Sequence, residues 1–238
     1  MTTVDTISAA LIEAHRADKR MEANKLPEPD YGEALEIQQR VQSKLGAVSG
    51  FKVVDRGDAP PLMAPITAAR TVPSGSSVPV RDKLGIELEI GFELIAEPAP
   101  EMMDKPNAFF RPRIVIELVD TRLDGDAAAM QKLADTQINA GLVVGPALEA
   151  WDGCDFGVMT AALRCGDEQV IDGEASVPGG SALSNLALFC ASVGTHCGGL
   201  QKGQIVITGS LSGLDYFAGG RDVAGKIKGI GEIALRLE

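Results

Sequence analysis

The sequence predicts an α+β fold: a mixed, largely antiparallel sheet curled into a roll or barrel, with a helical N-terminal region packed beside it. Three observations lead there. Apolar residues recur at helical spacing through the first 48 positions. From residue 50 onward the texture changes to short apolar runs separated by Gly, Pro and Asp. Only two further helical stretches, 127–134 and 181–192, lie among those runs, and many short strands with few helices between them point to α+β architecture.

The elements follow in order. Ile7, Ala10, Leu11 and Ala14 mark one face of a helix over 6–23, with charge on the remaining face. Pro27, Pro29 and Gly32 break the chain before a second helix over 31–44, whose apolar side is Ala34, Ile37, Val41 and Leu45. Residues 1–48 are therefore read as a helical region packed on the core, and 49–238 as the β-roll domain. Strands are expected at 50–54, 77–80, 85–96, 113–118, 141–144, 157–165, 169–173, 204–208 and 230–237. No internal repeat or low-complexity segment interrupts this organisation.

Composition narrows the function. Hydrophobic residues make up 45% of the 238 and aromatics only 4%, so the core must be aliphatic. A formal charge of −11 argues against nucleic acid as partner and disfavours anionic membranes. No apolar run approaches the roughly 20 residues that span a bilayer. Residues 1–20 lack the apolar centre of a signal peptide, and a cytoplasmic protein is expected. Cys154, Cys165, Cys190 and Cys197 form no CxxC pair and read as reduced, mostly buried thiols.

Charge inside apolar strands is the chemical signal. Glu87 and Glu89 sit two apart in Gly85-Ile86-Glu87-Leu88-Glu89-Ile90-Gly91-Phe92, so they face the same way. Such a pair also suits a water-facing strand, and Glu93 continues that face. Glu117 is the single charge in Ile114–Val119, which implies burial on both faces. An unpartnered buried carboxylate is costly. A salt bridge to Arg113 or Arg122 would relieve Glu117. Convergence of all three carboxylates on a hard divalent cation would relieve the set, since oxygen-only ligation suits Mg²⁺, Mn²⁺ or Ca²⁺ rather than zinc.

Lys52, in the short strand Gly50-Phe51-Lys52-Val53-Val54, is either a snorkelling surface lysine or a proton-transfer group. In the second case burial and a nearby cation would lower its pKa. Gly209-Ser210-Leu211-Ser212-Gly213 is either a plain turn or a loop that lets backbone N–H groups approach a ligand. Asp135 and Asn139 would cap the preceding helix or line a pocket. His15 reads as a surface residue, His196 lies in a glycine-flanked connection, and neither has the acidic neighbour of a catalytic dyad.

Several blocks together resemble one family. Glu33-Ala34-Leu35-Glu36-Ile37-Gln38 is similar to its A-Y-x-I-Q helix, and Gly50-Phe51-Lys52-Val53 to its G-x-K-I/V-G strand. Glu87-Leu88-Glu89 matches E-x-E, and Ile116-Glu117-Leu118-Val119-Asp120-Thr121-Arg122 is close to I-E-I-V-D-S-R. Ala134-Asp135-Thr136 before Gly141–Gly145 resembles A-D-N…G-x-x-x-G, and Gly209–Gly213 matches G-S-L-T-G. The order and spacing of these blocks, from about residue 7 to 237, resemble the 2-keto-4-pentenoate hydratase / 4-oxalocrotonate decarboxylase group of the fumarylacetoacetate hydrolase superfamily.

The resemblance implies a mixed β-roll in a homo-oligomer and a divalent metal, Mg²⁺ or Mn²⁺, on Glu87, Glu89 and Glu117. It implies a small 2-oxo acid substrate, proton transfer by Lys52 with help from Asp135, and substrate contact at Gly209 and Ser210. The expected activity is a hydratase acting on 2-hydroxy-2,4-dienoates in aromatic catabolism. The alternatives are a 4-oxalocrotonate-type decarboxylase, an acylpyruvate C–C hydrolase and a non-catalytic 2-oxo acid binding paralogue. Arg56, near Lys52, is either an exposed loop arginine or a group that binds a second carboxylate, which would favour a diacid. The chain departs from the family after Lys52, where Val53-Val54-Asp55-Arg56 and a short loop lead into Pro60-Pro61-Leu62-Met63, and at Thr136, where the family has Asn.

Overall fold

The computed structural model describes residues 1–238. The chain begins with α1 (Thr3–Ala17), β1 (Met21–Glu22), α2 (Tyr31–Leu45), β2 (Val48–Arg56), β3 (Ala59–Thr67), β4 (Thr71–Pro73), β5 (Ser77–Val78) and the long β6 (Leu84–Leu94). It continues through α3 (Pro106–Phe109), β7 (Phe110–Val119), β8 (Leu123–Asp124), α4 (Ala129–Ala134) and β9 (Asn139–Ala147). It ends with β10 (Val158–Cys165), β11 (Glu168–Ser176), α5 (Ala182–Ser192), β12 (Ile205–Ser210), β13 (Asp215–Phe217), β14 (Arg221–Ile227) and β15 (Gly231–Leu237).

Capping boxes start both long helices. The Thr2 hydroxyl accepts from the Asp5 N–H while the Asp5 carboxylate accepts from the Thr2 N–H, and Asp30 and Glu33 repeat the exchange. The first helix is shorter than the apolar spacing suggests. Asp18 turns left-handed at φ 50°, its N–H closes on the Ala14 carbonyl, and the chain leaves the helix there. Ile7, Leu11, Ala34, Ile37 and Val41 pack with Leu123, Leu133 and Ala134 in a cluster of 10 buried residues, so the two helices lie against β8 and α4.

The sheets are mixed and mostly antiparallel, as expected. The larger main sheet runs β3-β2-β12-β6-β7-β9-β4, with β13 also paired to β6; the second runs β11-β10-β14-β15-β5, and β1 and β8 form a separate two-stranded sheet. The pairs β12–β2, β4–β9, β15–β5 and β1–β8 are parallel. Both main sheets curl around one cluster of 35 buried residues, in which Phe51, Phe92, Phe110 and Phe189 are the largest fully buried side chains, Trp151, Phe156 and Phe217 are the other aromatics, and most of the rest are aliphatic. The four cysteines are free; Cys154 is exposed, Cys165 is buried, and the other two are half-buried.

Two full strands lie outside the sequence expectation. β3 carries Pro60, Pro61 and Pro65, which argue against a strand; it is tolerated because it is an edge strand, paired only with β2. It makes the segment after Lys52 a hairpin, turned at Gly57 by the Asp55 carboxylate accepting the Gly57 N–H at 2.8 Å. β14 alternates Val223, Gly225 and Ile227 inward with Asp222, Ala224 and Lys226 outward; glycine and alanine at its centre weaken the apolar signal.

Gly50 sets the β2–β12 contact. A Cβ there would lie 2.0 Å from the Ile205 carbonyl oxygen, inside any real contact distance. Gly50→Ala is expected to destabilise the fold by about 3 kcal/mol or more, read as a lower urea midpoint. An unchanged midpoint would show that β2 and β12 do not approach this closely.

Candidate metal centre

Pairing register brings the acids together. In the β6–β7 ladder Glu87 stands directly opposite Glu117, and Glu89 lies one pleat further on the same face. One carboxylate oxygen from each of the three lies within 4.8 Å of the others. Glu117 is fully buried, Glu89 is 2% exposed and Glu87 is half-buried.

Lys52 reaches this cluster from β2. Two strands, β12 and β6, separate β2 from β7, a span of roughly 14 Å in a flat sheet. Lys52 Nζ nevertheless donates to Glu117 Oε1 at 2.7 Å and Oε2 at 2.8 Å, which requires the sheet to curl. Its third donor points at the Gln137 carbonyl at 3.4 Å. Asn139 Nδ2 also donates to Glu117 Oε1, at 2.7 Å. Lys52 is thus the partner of Glu117; Arg113 pairs with Glu93 at 2.8 Å and Arg122 with Asp135 at 2.6 Å.

β12 supplies the remaining wall. Its register against β6 shifts between Ile207 and Ser210, and this irregularity swings the strand end over Glu89. The Gly209 N–H donates to Glu89 Oε2 at 2.7 Å. Gly209 has φ 115°, and a Cβ there would meet Pro178 Cγ at 2.8 Å, so glycine is needed for both conformation and space. Ser210 lines the cavity beside it, its hydroxyl donating to the Gly213 carbonyl at 3.1 Å.

The electrostatics are those of crowded acids. Burial, then Glu117 and Glu87, push the Glu89 carboxyl well above the ordinary range. Burial and Glu117 also raise Glu87. Burial acts to lower the Lys52 pKa, but attraction and hydrogen bonding from Glu117, helped by Glu89 and Glu87, raise it on balance. Among the chain's own groups the ammonium is the counter-ion of these acids.

A strained turn flanks the lysine. Thr136, Gln137 and Ile138 take φ values of 52°, 50° and 55°, three successive non-glycine residues in the left-handed region. Each costs on the order of 1–3 kcal/mol. The Ile138 N–H to the Asp135 carbonyl (2.9 Å) and the Asp120 N–H to the Ile138 carbonyl (3.0 Å) hold the turn. Gln137 Oε1 is buried there without a hydrogen-bond partner.

Other anticipated residues lie elsewhere. Asp135 is 1% exposed and does not line the cavity. It accepts from Arg122 Nε at 2.6 Å, the Arg122 N–H at 2.8 Å and the Thr121 hydroxyl at 2.9 Å. The Arg122 guanidinium spends its remaining donors on the Asp120, Asn139 and Asp135 carbonyls and the Thr136 hydroxyl, bracing the strained turn from behind. Arg122→Met would leave Asp135 buried and unpaired, and should cost about 3–5 kcal/mol in chemical denaturation. A loss below 1 kcal/mol would show that this network is not structural.

Arg56 is also turned away. Its Nε and Nη2 both donate to the Pro60 carbonyl, at 2.9 and 2.7 Å, and its guanidinium lies over the Tyr31 ring. His15 is half-buried rather than a surface residue; burial, then Arg122 and Arg70, pull its pKa down to about 3. His196 Nε2 lies 2.8 Å from Gln38 Oε1. Neither histidine lines the acidic cavity.

That cavity has a volume of about 350 Å³, with Lys52, Glu87, Glu89 and Glu117 in its lining and Asp55 and Asn185 on its walls. Asn185 and Asp55 escaped the sequence reading; an asparagine within Leu183-Ser184-Asn185-Leu186-Ala187-Leu188 was the available signal. A depression of about 400 Å³ over the outer face of β10, β14 and β15 holds no such convergence, since its Lys226 and Glu232 pair with each other at 2.7 Å.

The donor set suits a hard dication. Three carboxylates face one ammonium, and that ammonium is held by Glu117. Buried Glu89 has only a backbone N–H for partner, so its charge is left without a cation from the chain. Oxygen ligands alone favour Mg²⁺, Mn²⁺ or Ca²⁺. No helix is long and apolar enough to cross a membrane.

No protein-family model and no curated protein matches the chain. Solved structures do. The 4-oxalocrotonate decarboxylase of Pseudomonas putida G7, complexed with magnesium and adipate, superposes with a TM-score of 0.79 at 18% identity, over 100% of this chain and 99% of that one. The fumarylpyruvate hydrolase of Pseudomonas aeruginosa, in complex with Mn²⁺ and pyruvate, gives 0.54 at 16%, over 79% of this chain and 88% of that one. A 2-hydroxyhepta-2,4-diene-1,7-dioate isomerase from Mycobacterium marinum gives 0.56 at 13%, over 80% and 75%. These likenesses show the fold, and it is the one the sequence resemblance implied.

Proposed function

We propose that this chain is a divalent-cation-dependent enzyme of 2-oxo acids, a lyase that hydrates 2-hydroxy-2,4-dienoates. The observation that carries the reading is the convergence of Glu87, Glu89 and Glu117 oxygens within 4.8 Å, beside a buried lysine. The family resemblance of the sequence blocks supports the same reading. Decarboxylation of a 2-oxo-3-enedioate is the second reading, favoured by the end-to-end likeness to 4-oxalocrotonate decarboxylase. A small-molecule substrate and a homo-oligomeric assembly belong to this proposal.

Glu87, Glu89 and Glu117 would hold Mg²⁺ or Mn²⁺. When bound, the cation supplies Lewis-acid stabilisation of charge developing on a 2-oxo group. The protein's groups do the rest. The Gly209 N–H and Asn139 Nδ2 orient Glu89 and Glu117. Lys52 Nζ, in the cavity lining, would supply the proton. Ketonisation of a 2-hydroxy-2,4-dienoate places a proton on carbon, and water then adds across the remaining double bond. Loss of CO₂ from a 2-oxo-3-enedioate would leave a similar dienolate, and a proton on its oxygen completes a 2-hydroxy-2,4-dienoate. Charge stabilisation at the 2-oxo oxygen is thus common to both readings, whereas proton delivery to carbon belongs to the hydration.

The test is an assay of 2-hydroxypenta-2,4-dienoate, followed by loss of diene absorbance, with Mg²⁺ and with EDTA. Turnover is expected with the cation and not with the chelator. Equal turnover in both would remove the metal-dependent reading. Calorimetric binding of oxalate without any turnover would make the chain a 2-oxo acid binding protein instead.

A further inference from the structure

The wall of the cavity beyond Lys52 carries no cationic side chain. On one side β2 runs on from Lys52 through Val54 to Asp55; on the other stand Pro178, Gly179 and Asn185. Asn185 is 5% exposed, and its Nδ2 donates to the Pro178 and Thr208 carbonyls, both at 2.9 Å. Carbonyls only accept, so these two bonds fix which end of the amide carries nitrogen. Asn185 Oδ1 is left as an acceptor turned toward Gly179, 3.8 Å from where a Cβ on that residue would sit. No donor in the chain reaches it. The Asp55 carboxylate is exposed, and it accepts only the Gly57 N–H of its own turn.

Cations are missing from this end. Lys52 is the only one lining the cavity, and its three N–H groups point at Glu117 Oε1, Glu117 Oε2 and the Gln137 carbonyl. Arg56, the next candidate, is held on the Pro60 carbonyl. A ligand extending from the acid cluster to this wall therefore meets an amide oxygen and a negative charge. A second carboxylate there would meet a like charge at Asp55 and gain no side-chain cation. A hydroxyl would find an acceptor already oriented by the two bonds of Asn185 Nδ2.

Resting on the reading above, we propose that the substrate is a 2-oxo monocarboxylate whose far end is uncharged and carries a hydrogen-bond donor. Asn185 and Asp55 are its specificity-determining residues: the first accepts the donor, the second repels a distal carboxylate.

Calorimetry on the full chain with Mn²⁺ tests this with three ligands of one carbon skeleton: 2-oxopentanoate, 5-hydroxy-2-oxopentanoate and 2-oxoglutarate. The hydroxylated monoacid is expected to bind at least roughly tenfold more tightly than 2-oxoglutarate, and more tightly than 2-oxopentanoate. In Asp55→Lys the preference over 2-oxoglutarate should reverse. Tighter or equal binding of 2-oxoglutarate by the unaltered chain would overturn the inference and leave the 2-oxo acid reading standing. Absence of binding by all three ligands would remove both.

Discussion

Glu117→Gln is expected to abolish Mn²⁺ binding and turnover together, and to lower stability in the metal-free protein by about 3–5 kcal/mol. Glu117 is fully buried and takes three donors: two bonds from Lys52 Nζ and one from Asn139 Nδ2. A carboxylate can accept all of them. A glutamine amide has one acceptor oxygen, so its NH₂ group must face the ammonium or the Asn139 amide. The buried lysine is then left without an anion. Denaturant unfolding reads the stability and Mn²⁺ calorimetry reads the affinity. If both are unchanged, Glu117 is neither a ligand nor the partner of Lys52.

Lys52→Met has an effect of similar size and a distinguishing signature. Without the ammonium, three carboxylates face one another with no counter-ion from the chain. The metal-free protein should lose about 3–5 kcal/mol. A dication compensates the same charges, so Mn²⁺ should stabilise the variant more than it stabilises the unaltered protein. Turnover should fall by about 10²- to 10⁴-fold, the usual scale for a positioned proton donor. Equal stabilisation of both proteins by Mn²⁺ would show that lysine and metal do not serve the same charge cluster. Retained turnover would remove Lys52 from proton transfer.

Much of this site was legible because its residues break local rules. A glutamate inside Ile-Val-Ile-Glu-Leu-Val and a lysine inside Gly-Phe-Lys-Val-Val are costly unless something compensates them, and that cost is visible without coordinates. The long helices were legible from spacing, and their capping boxes agree with it. Partners were not legible. Lys52 and Glu117 lie 65 residues apart, and their contact depends on sheet order and curl, which no local pattern encodes. Arg113 and Arg122 were nearer in sequence, but β6–β7 pairing brings Arg113 to Glu93, and the connection after β7 brings Arg122 to Asp135 at the end of α4.

The remaining misses share that cause. β3 was hidden by its prolines, which an edge position forgives. Making it a strand drew Arg56 onto the Pro60 carbonyl and away from any substrate, while leaving Asp55 at the cavity. Asp135 read as a pocket residue from its motif. It is committed instead to Arg122, three of whose donors hold the Asp120, Asn139 and Asp135 carbonyls around the turn that places Gln137 against Lys52. Asn185 gave only the weak signal of one amide in an apolar helix, and its role depends on the Pro178 and Thr208 carbonyls that fold brings to it.

The most direct measurement is anomalous diffraction from a crystal soaked with Mn²⁺ and oxalate. One manganese peak per chain, bonded to oxygens of Glu87, Glu89 and Glu117 with oxalate on its open side, is the expected result. Manganese elsewhere, or those three carboxylates still gathered around Lys52 with no peak between them at saturating metal, would contradict the account.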